Sequence, residues 1–256
     1  MTLPARSACS LRRPRPSITV DVRALNIRPT SAMAIYAHPD DADVAAGGLL
    51  AQWSSDGCAV HLVVVCDGAK GSHAPSANAA SLREVRSGEL ELAADLLGAT
   101  TVTSLERADG TVVNDEELRS TLVGLIRKHR PEVVLGPDPT ATFFAGVYVN
   151  HRDHRETGWA LLDSVAPAAA MPLYFPTMGE PHQVSRLLLS GTHEPDVVAD
   201  ITRTIDTKVK AVLVHTSQLA GDADAIRELV YGRAEQAGKP VGADFGEAFR
   251  SVELAF

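Results

Sequence analysis

From Ala32 onward, short apolar runs alternate with longer amphipathic stretches, and this switching is the feature that most narrows the possible folds. It is how βα units that build a parallel sheet read in sequence. The first unit is the clearest. A strand at Ala34 to Ala37 ends in His38-Pro39-Asp40-Asp41, a helix runs to about Ser55, and Asp56-Gly57 turns the chain into a strand at Ala59 to Val65. A helix from Ala79 to Leu97 stops at Gly98, and Thr101 to Leu105 reads as the third strand. The next helix, Asp115 to Lys128, is acidic in its first turn and basic in its last, and Glu132 to Leu135 follows as the fourth strand. Beyond Pro172 mixed strands are expected at Leu173 to Phe175, Val184 to Ser190 and Val197 to Ala199. Helices from Ile201 to about His215 and from Ala223 to Glu235 then lead to an apolar segment near Val252.

A chain of 256 residues fits one sizeable domain, expected over residues 31–256. Residues 1–30 carry Arg6, Arg12, Arg13, Arg15, Arg23 and Arg28 against Asp21 alone, with Pro4, Pro14 and Pro16 among them, and read as a basic, disordered tail. No apolar run follows these arginines, so neither a secretory signal nor a membrane anchor is expected. A net charge of -8 argues against a nucleic-acid partner and favours a small-molecule one. Cys9, Cys58 and Cys66 include no CxxC pair, which argues against a disulfide framework and points to a reducing, cytoplasmic setting. Oligomeric state is open, a homo-oligomer included.

Two clusters hold most of the metal-ligand potential, and each lies where a strand gives way to a helix. Parallel strands present their carboxyl ends to one crevice, so His38, Asp40 and Asp41 can meet His151, Asp153 and His154. A catalytic zinc takes three nitrogen or oxygen ligands and leaves one position for water, and His38, Asp41 and His154 would provide them. Because a composition 45% hydrophobic builds a core without help, a metal here is catalytic rather than structural. Asp40, pointing away from Asp41 in an extended turn, is then spare to act as general base toward the zinc-bound water. With Asp153 holding His151 as the imidazolium, His151 would stabilise an oxyanion and protonate a departing amine. Mixed His and Asp ligation suits zinc but also admits iron, manganese or cobalt.

Each piece has a plainer reading. Alone, His38-Pro39-Asp40-Asp41 reads equally well as a turn with a helix cap, and only the second cluster tips the balance. Gly47-Gly48 lacks the spacing of a phosphate loop and suits close packing of a helix. Cys66, ending an apolar strand, reads as inert core. His61, His73, His129, His182 and His193 have no comparable partners in sequence.

With these residues the chain resembles the PIG-L/LmbE family of zinc-dependent N-acetylglucosaminyl deacetylases. The resemblance extends from about Ala34 to Gln218 and rests on Ala37-His38-Pro39-Asp40-Asp41 with Gly47-Gly48 and on Asn150-His151-Arg152-Asp153-His154-Arg155. Asp67-Gly68, Arg86-Ser87-Gly88-Glu89-Leu90, Asp109-Gly110 and His215-Thr216-Ser217-Gln218 support it. It implies a Rossmann-like, mostly parallel sheet with helices on both faces and the metal at the strand ends. It also implies His38, Asp41 and His154 as zinc ligands, Asp40 as base and His151 as acid or oxyanion stabiliser, with Arg86 and Asp67 toward the substrate. Two positions depart from the pattern: Arg152 stands where proline is common, and Val149 replaces a tyrosine, with Tyr148 expected to point elsewhere. The implied activity is hydrolysis of the acetamide of an N-acetylglucosamine-containing small molecule, a glycoside or antibiotic sugar, in a pocket built by the loops after Cys66, Leu105 and Leu135. Rival readings are an amidase of a larger conjugate or a phosphoesterase on the same scaffold, and a nucleotide-binding module, which the lack of GxGxxG disfavours.

Overall fold

Strand β2 (Ser31–Tyr36) is the axis of the fold, because helices cover both of its faces and both are apolar. Ala32, Ala34 and Tyr36 enter one buried cluster, whereas Met33 and Ile35 enter the other. The computed structural model describes residues 21–72, 74–219 and 222–255. Around β2 the chain adds β1 (Arg23–Ala24), α1 (Asp41–Ser55), β3 (Ala59–Cys66), α2 (Ala79–Leu97), β4 (Thr101–Arg107), α3 (Glu116–His129) and β5 (Val133–Pro137). A small hairpin, β6 (Phe143–Phe144) and β7 (Tyr148–Val149), precedes α4 (Arg152–Asp163), β8 (Arg186–Ser190) and β9 (Val197–Asp200). Helices α5 (Ile205–Val214) and α6 (Ala223–Gly238) lead to β10 (Gly246–Glu253).

The large sheet has the order β1-β9-β10-β8-β5-β2-β3-β4. It is parallel from β8 to β4, and β10 alone runs antiparallel, between β8 and β9. Helices α1, α2, α5 and α6 pack on one face and α3 and α4 on the other. The chain leaves β2 toward β3 and β4 and later returns on its other side through β5 and β8. That reversal opens a crevice between the carboxyl ends of β2 and β5, where open α/β sheets bind ligands. The segment after β2 holds His38 to Asp41, and the segment after β5 leads to His151 to His154.

Local chemistry explains the boundaries. Asn78 and Asp115 cap α2 and α3 by accepting from the backbone N–H groups of Ser81 and Leu118. Gly48 lets α1 approach its neighbour, since a Cβ there would lie 2.7 Å from Ile201. The strand expected at Leu173 to Phe175 does not form. The buried Arg127 guanidinium instead donates to the carbonyls of Ala168, Ala169, Met171, Tyr174, Phe175 and Gly179, which folds this stretch around a charge and keeps it out of the sheet. Of the basic stretch 1–30, residues 1–20 lie outside the described residues, as does His73. Residues 21–30 are laid against the fold, with Arg23 and Ala24 paired to Val197 and Val198 and with Leu25 and Ile27 against the core. No helix among the described residues is long and apolar enough to cross a membrane.

Candidate metal centre and active site

His38 and Asp41 bracket the junction between β2 and α1, and His154 lies in the first turn of α4. Their donor atoms converge: His38 Nδ1 is 3.1 Å from His154 Nε2, Asp41 Oδ1 is 3.2 Å from His154 Nε2, and Asp41 Oδ2 is 3.3 Å from His38 Nδ1. Tetrahedral bonds of about 2.0–2.1 Å place neighbouring ligand atoms about 3.3 Å apart. With one carboxylate oxygen of Asp41 toward each imidazole, the donor atoms are spaced much as neighbouring ligands around a small divalent cation, and this His/Asp/His group could hold one.

Each imidazole is oriented by its other nitrogen, as metal-binding histidines are. His154 Nδ1 meets Asn150 Oδ1 at 3.0 Å, and the Asn150 amide is itself fixed on the Ala141 carbonyl, so the lone pair of His154 falls on Nε2. His38 Nε2 faces Asp109 at 3.3 Å and Asp153 at 3.5 Å. Burial disfavours charge on His38, but Asp41, Asp109 and Asp153 outweigh it and raise its pKa far above the ordinary histidine range. Burial likewise opposes ionisation of Asp41, and His154 and His38 overcome it, holding that carboxyl well below its usual range. A cage with this much negative charge stabilises a cation, whether a proton or a metal ion.

Asp40 caps α1 with helical rather than extended backbone, φ -95° and ψ -12°, which corrects the expected turn. Its Oδ1 accepts from Arg86 Nη2 at 2.5 Å, and Arg86, only 2% exposed, also donates to the Gly68 carbonyl. Gly68 has φ +63°, and a Cβ there would lie 2.6 Å from the guanidinium, so glycine is required for Arg86 to reach Asp40. Arg86 thus holds the carboxylate in place, and it also lines the depression beside it. Asp67 is further removed. Its oxygens accept from Ala69 N, Asp109 N and Arg83 Nη2, tying the loop after β3 to the loop after β4.

His151 is the N-cap of α4, and its Nδ1 accepts from the Asp153 backbone N–H at 3.3 Å, which leaves the ring proton on Nε2. Asp153 does not hold it as an imidazolium. The Asp153 carboxylate lies 3.7 Å from His151 and is turned to the backbone N–H groups of Gly110 and Val112, at 2.6 and 3.0 Å. It steadies His38 and the β4–α3 loop. Burial and the neighbouring His38 push the His151 pKa below its ordinary value, in the same sense. Cys66 faces Asp153 at 3.5 Å, and burial raises its thiol to about 11, in keeping with an inert core residue.

The centre separates two depressions. One is polar and lined by Asp40, Lys70, Arg86, Asp109, His151 and Gln218. The other, about 540 Å³, is walled by Tyr36, Val44, Pro137, Phe144 and Val147. Asp41, His154 and Tyr148 border both, so Tyr148 points into the site and not elsewhere. Asp109 and Asn150, to which sequence assigns no role, face the two ligand imidazoles. An Asp just beyond the third parallel strand was the available signal for the first. A second missed pair, the buried His215 and Asp43 at 2.7 Å, joins the segment after α5 to α1 beside Asp40. Of the remaining histidines, His61 packs on His129, His182 bonds the Pro131 carbonyl and His193 packs on Phe144.

Residues 33–165, half of the chain, match the family model PIG-L, GlcNAc-PI de-N-acetylase. The chain belongs to the PIG-L family. The diacetylchitobiose deacetylase of Thermococcus kodakarensis is 30% identical to this PIG-L chain over 230 residues, covering 88% of this chain and 84% of that protein. A 1D-myo-inositol 2-acetamido-2-deoxy-alpha-D-glucopyranoside deacetylase of Saccharopolyspora erythraea is 28% identical over 179 residues, 60% of this chain and 63% of that one. Among solved structures, the N,N'-diacetylchitobiose deacetylase of Pyrococcus horikoshii superposes with a TM-score of 0.80 at 30% identity, covering 88% of this chain and 84% of that chain. This chain and that deacetylase therefore share their fold.

Proposed function

We propose that this PIG-L chain is a zinc-dependent hydrolase that removes the acetyl group from an N-acetylglucosamine-containing small molecule. One observation carries the reading: two imidazoles and the Asp41 carboxylate gathered within reach of one ion, with the carboxylate of Asp40 and the imidazole of His151 facing the same depression. His38, Asp41 and His154 are the proposed ligands, and nitrogen and oxygen donors in this arrangement suit zinc. Zinc, when bound, polarises an amide carbonyl as a Lewis acid and lowers the pKa of water to about 7.

Asp40 receives the proton of the attacking water, and the Arg86 guanidinium holds its carboxylate in place. Neutral His151, with its proton on Nε2, donates to the carbonyl oxygen as negative charge grows there. The proton taken up by Asp40 then passes to the departing nitrogen. Lys70, Asp109 and Gln218 around the polar depression offer partners to sugar hydroxyls. The relatives support an amino-sugar substrate, since they are named for deacetylating diacetylchitobiose and a glucosaminyl inositol. Cys58 and Cys66, free and buried, suit a reducing cytoplasm.

The test combines metal analysis of the purified protein with amine release from a panel of N-acetylglucosaminides. Wild type is expected to carry zinc and release acetate, and Asp40→Asn to keep the metal while losing turnover by about 100-fold or more. Near-normal turnover in Asp40→Asn would refute its role as base.

A further inference from the structure

The apolar depression beside the proposed centre is far larger than an acetyl group needs. A methyl is about the size of a water molecule, whose share of liquid volume is about 30 Å³, whereas this cavity measures about 540 Å³. Pockets of about 300–1,000 Å³ accommodate whole drug-sized ligands. The cavity is also continuous with the reacting position, since Asp41 and His154 form part of its wall.

Which half of an amide enters it follows from the proton-handling groups. Hydrolysis adds water across the C–N bond: the hydroxyl joins the acyl carbon, the proton goes to nitrogen, and an amine and a carboxylic acid separate. The proton reaches nitrogen from Asp40, so the amine leaves on the side of Asp40, which lines the polar depression and not the apolar one. The acyl group then extends the opposite way, past Asp41 and His154, toward Tyr36, Val44, Pro137, Phe144 and Val147. The wall is mainly but not wholly apolar: the Tyr36 hydroxyl is satisfied by Ser190 Oγ at 3.0 Å and the Asn150 amide by the Ala141 carbonyl, and Arg233 also lines the cavity. Beside it the β6–β7 hairpin exposes Val147 at 89% and Phe143 at 67%, surface that an apolar chain would cover.

We infer that this cavity is an acyl pocket and that the enzyme hydrolyses N-acylated amino sugars whose acyl chain is longer than acetyl. The inference rests on the hydrolase reading above. One methylene in an apolar pocket changes kcat/KM by about 10- to 200-fold, so chain length is a sensitive reporter.

The experiment measures kcat/KM of the zinc-loaded wild-type protein on N-acetyl-, N-butyryl- and N-hexanoylglucosamine, following glucosamine release. The expected result is a rise with acyl length, by about tenfold or more from acetyl to hexanoyl. A fall with length overturns the inference but leaves the deacetylase reading intact, whereas release from none of the three overturns both. Val44 is 43% exposed on the cavity wall, so Val44→Trp narrows the pocket without entering the core. It is expected to lower the hexanoyl-to-acetyl ratio at least fivefold, about 1 kcal/mol of discrimination; an unchanged ratio counts against the pocket. Calorimetry on Asp40→Asn gives a readout independent of turnover: tighter binding of N-hexanoyl- than of N-acetylglucosamine supports the acyl pocket, and equal or weaker binding contradicts it.

Discussion

Arg86 reaches Asp40 across 46 positions of sequence, and its guanidinium is the carboxylate's charged partner. Arg86→Met removes that charge while keeping an unbranched side chain, so Asp40 swings free while the ligand atoms stay where they are. Turnover is expected to fall about 10- to 100-fold with zinc content unchanged, measured by kcat beside metal analysis. Loss of zinc in that variant would mean that Arg86 shapes the centre itself. His151→Ala, which removes an N–H donor, is expected to lower kcat by about 100-fold or more with little change in metal content. The ligand candidates were legible in sequence because each sits in a compact motif where a strand ends. The partners of Arg86 and Asp153 were not, because a position on a helix says nothing of what lies across the crevice. Asp153 follows His151 by two residues, yet its carboxylate turns to Gly110 and Val112. Tyr148 was misread because a two-residue strand within a tight hairpin does not fix the facing of its side chains.

Elements with a strong period and a polar cap were the easiest to read. Helix α2 (Ala79–Leu97) has the expected bounds, and α3 begins one residue after Asp115, which caps it. The segment Leu173 to Phe175 has strand-forming composition, but it spends its carbonyls on Arg127, whose six acceptors could not be read from sequence. Arg127→Met would leave those buried oxygens without a donor, at about 1–3 kcal/mol for each that stays dry. The expected outcome is a drop in the urea midpoint together with new proteolytic cleavage within residues 168–179. Cleavage and midpoint like wild type would show that the loop is held by other contacts.

At the scale of the molecule, the parallel βα pattern implied one crevice, and the order reversal beside β2 provides it. The insertion of antiparallel β10 between β8 and β9 was not legible, since strand order depends on long-range pairing rather than local pattern. Because the proposed ligands come from segments on either side of the crevice, a bound ion cross-links them and stabilises the native state by mass action. At about 100 times its dissociation constant an ion adds about 2.7 kcal/mol. Chelation is therefore expected to lower Tm by about 5–10 °C, and restored zinc to recover it. An unchanged Tm would place the ion away from this junction. The most direct measurement is the metal content of His154→Ala beside wild type after equal zinc loading and desalting. About one zinc per chain in wild type and less than about a tenth of that in the variant are expected, because two remaining ligands hold the ion poorly. A variant that retains stoichiometric zinc would contradict the centre built on His38, Asp41 and His154.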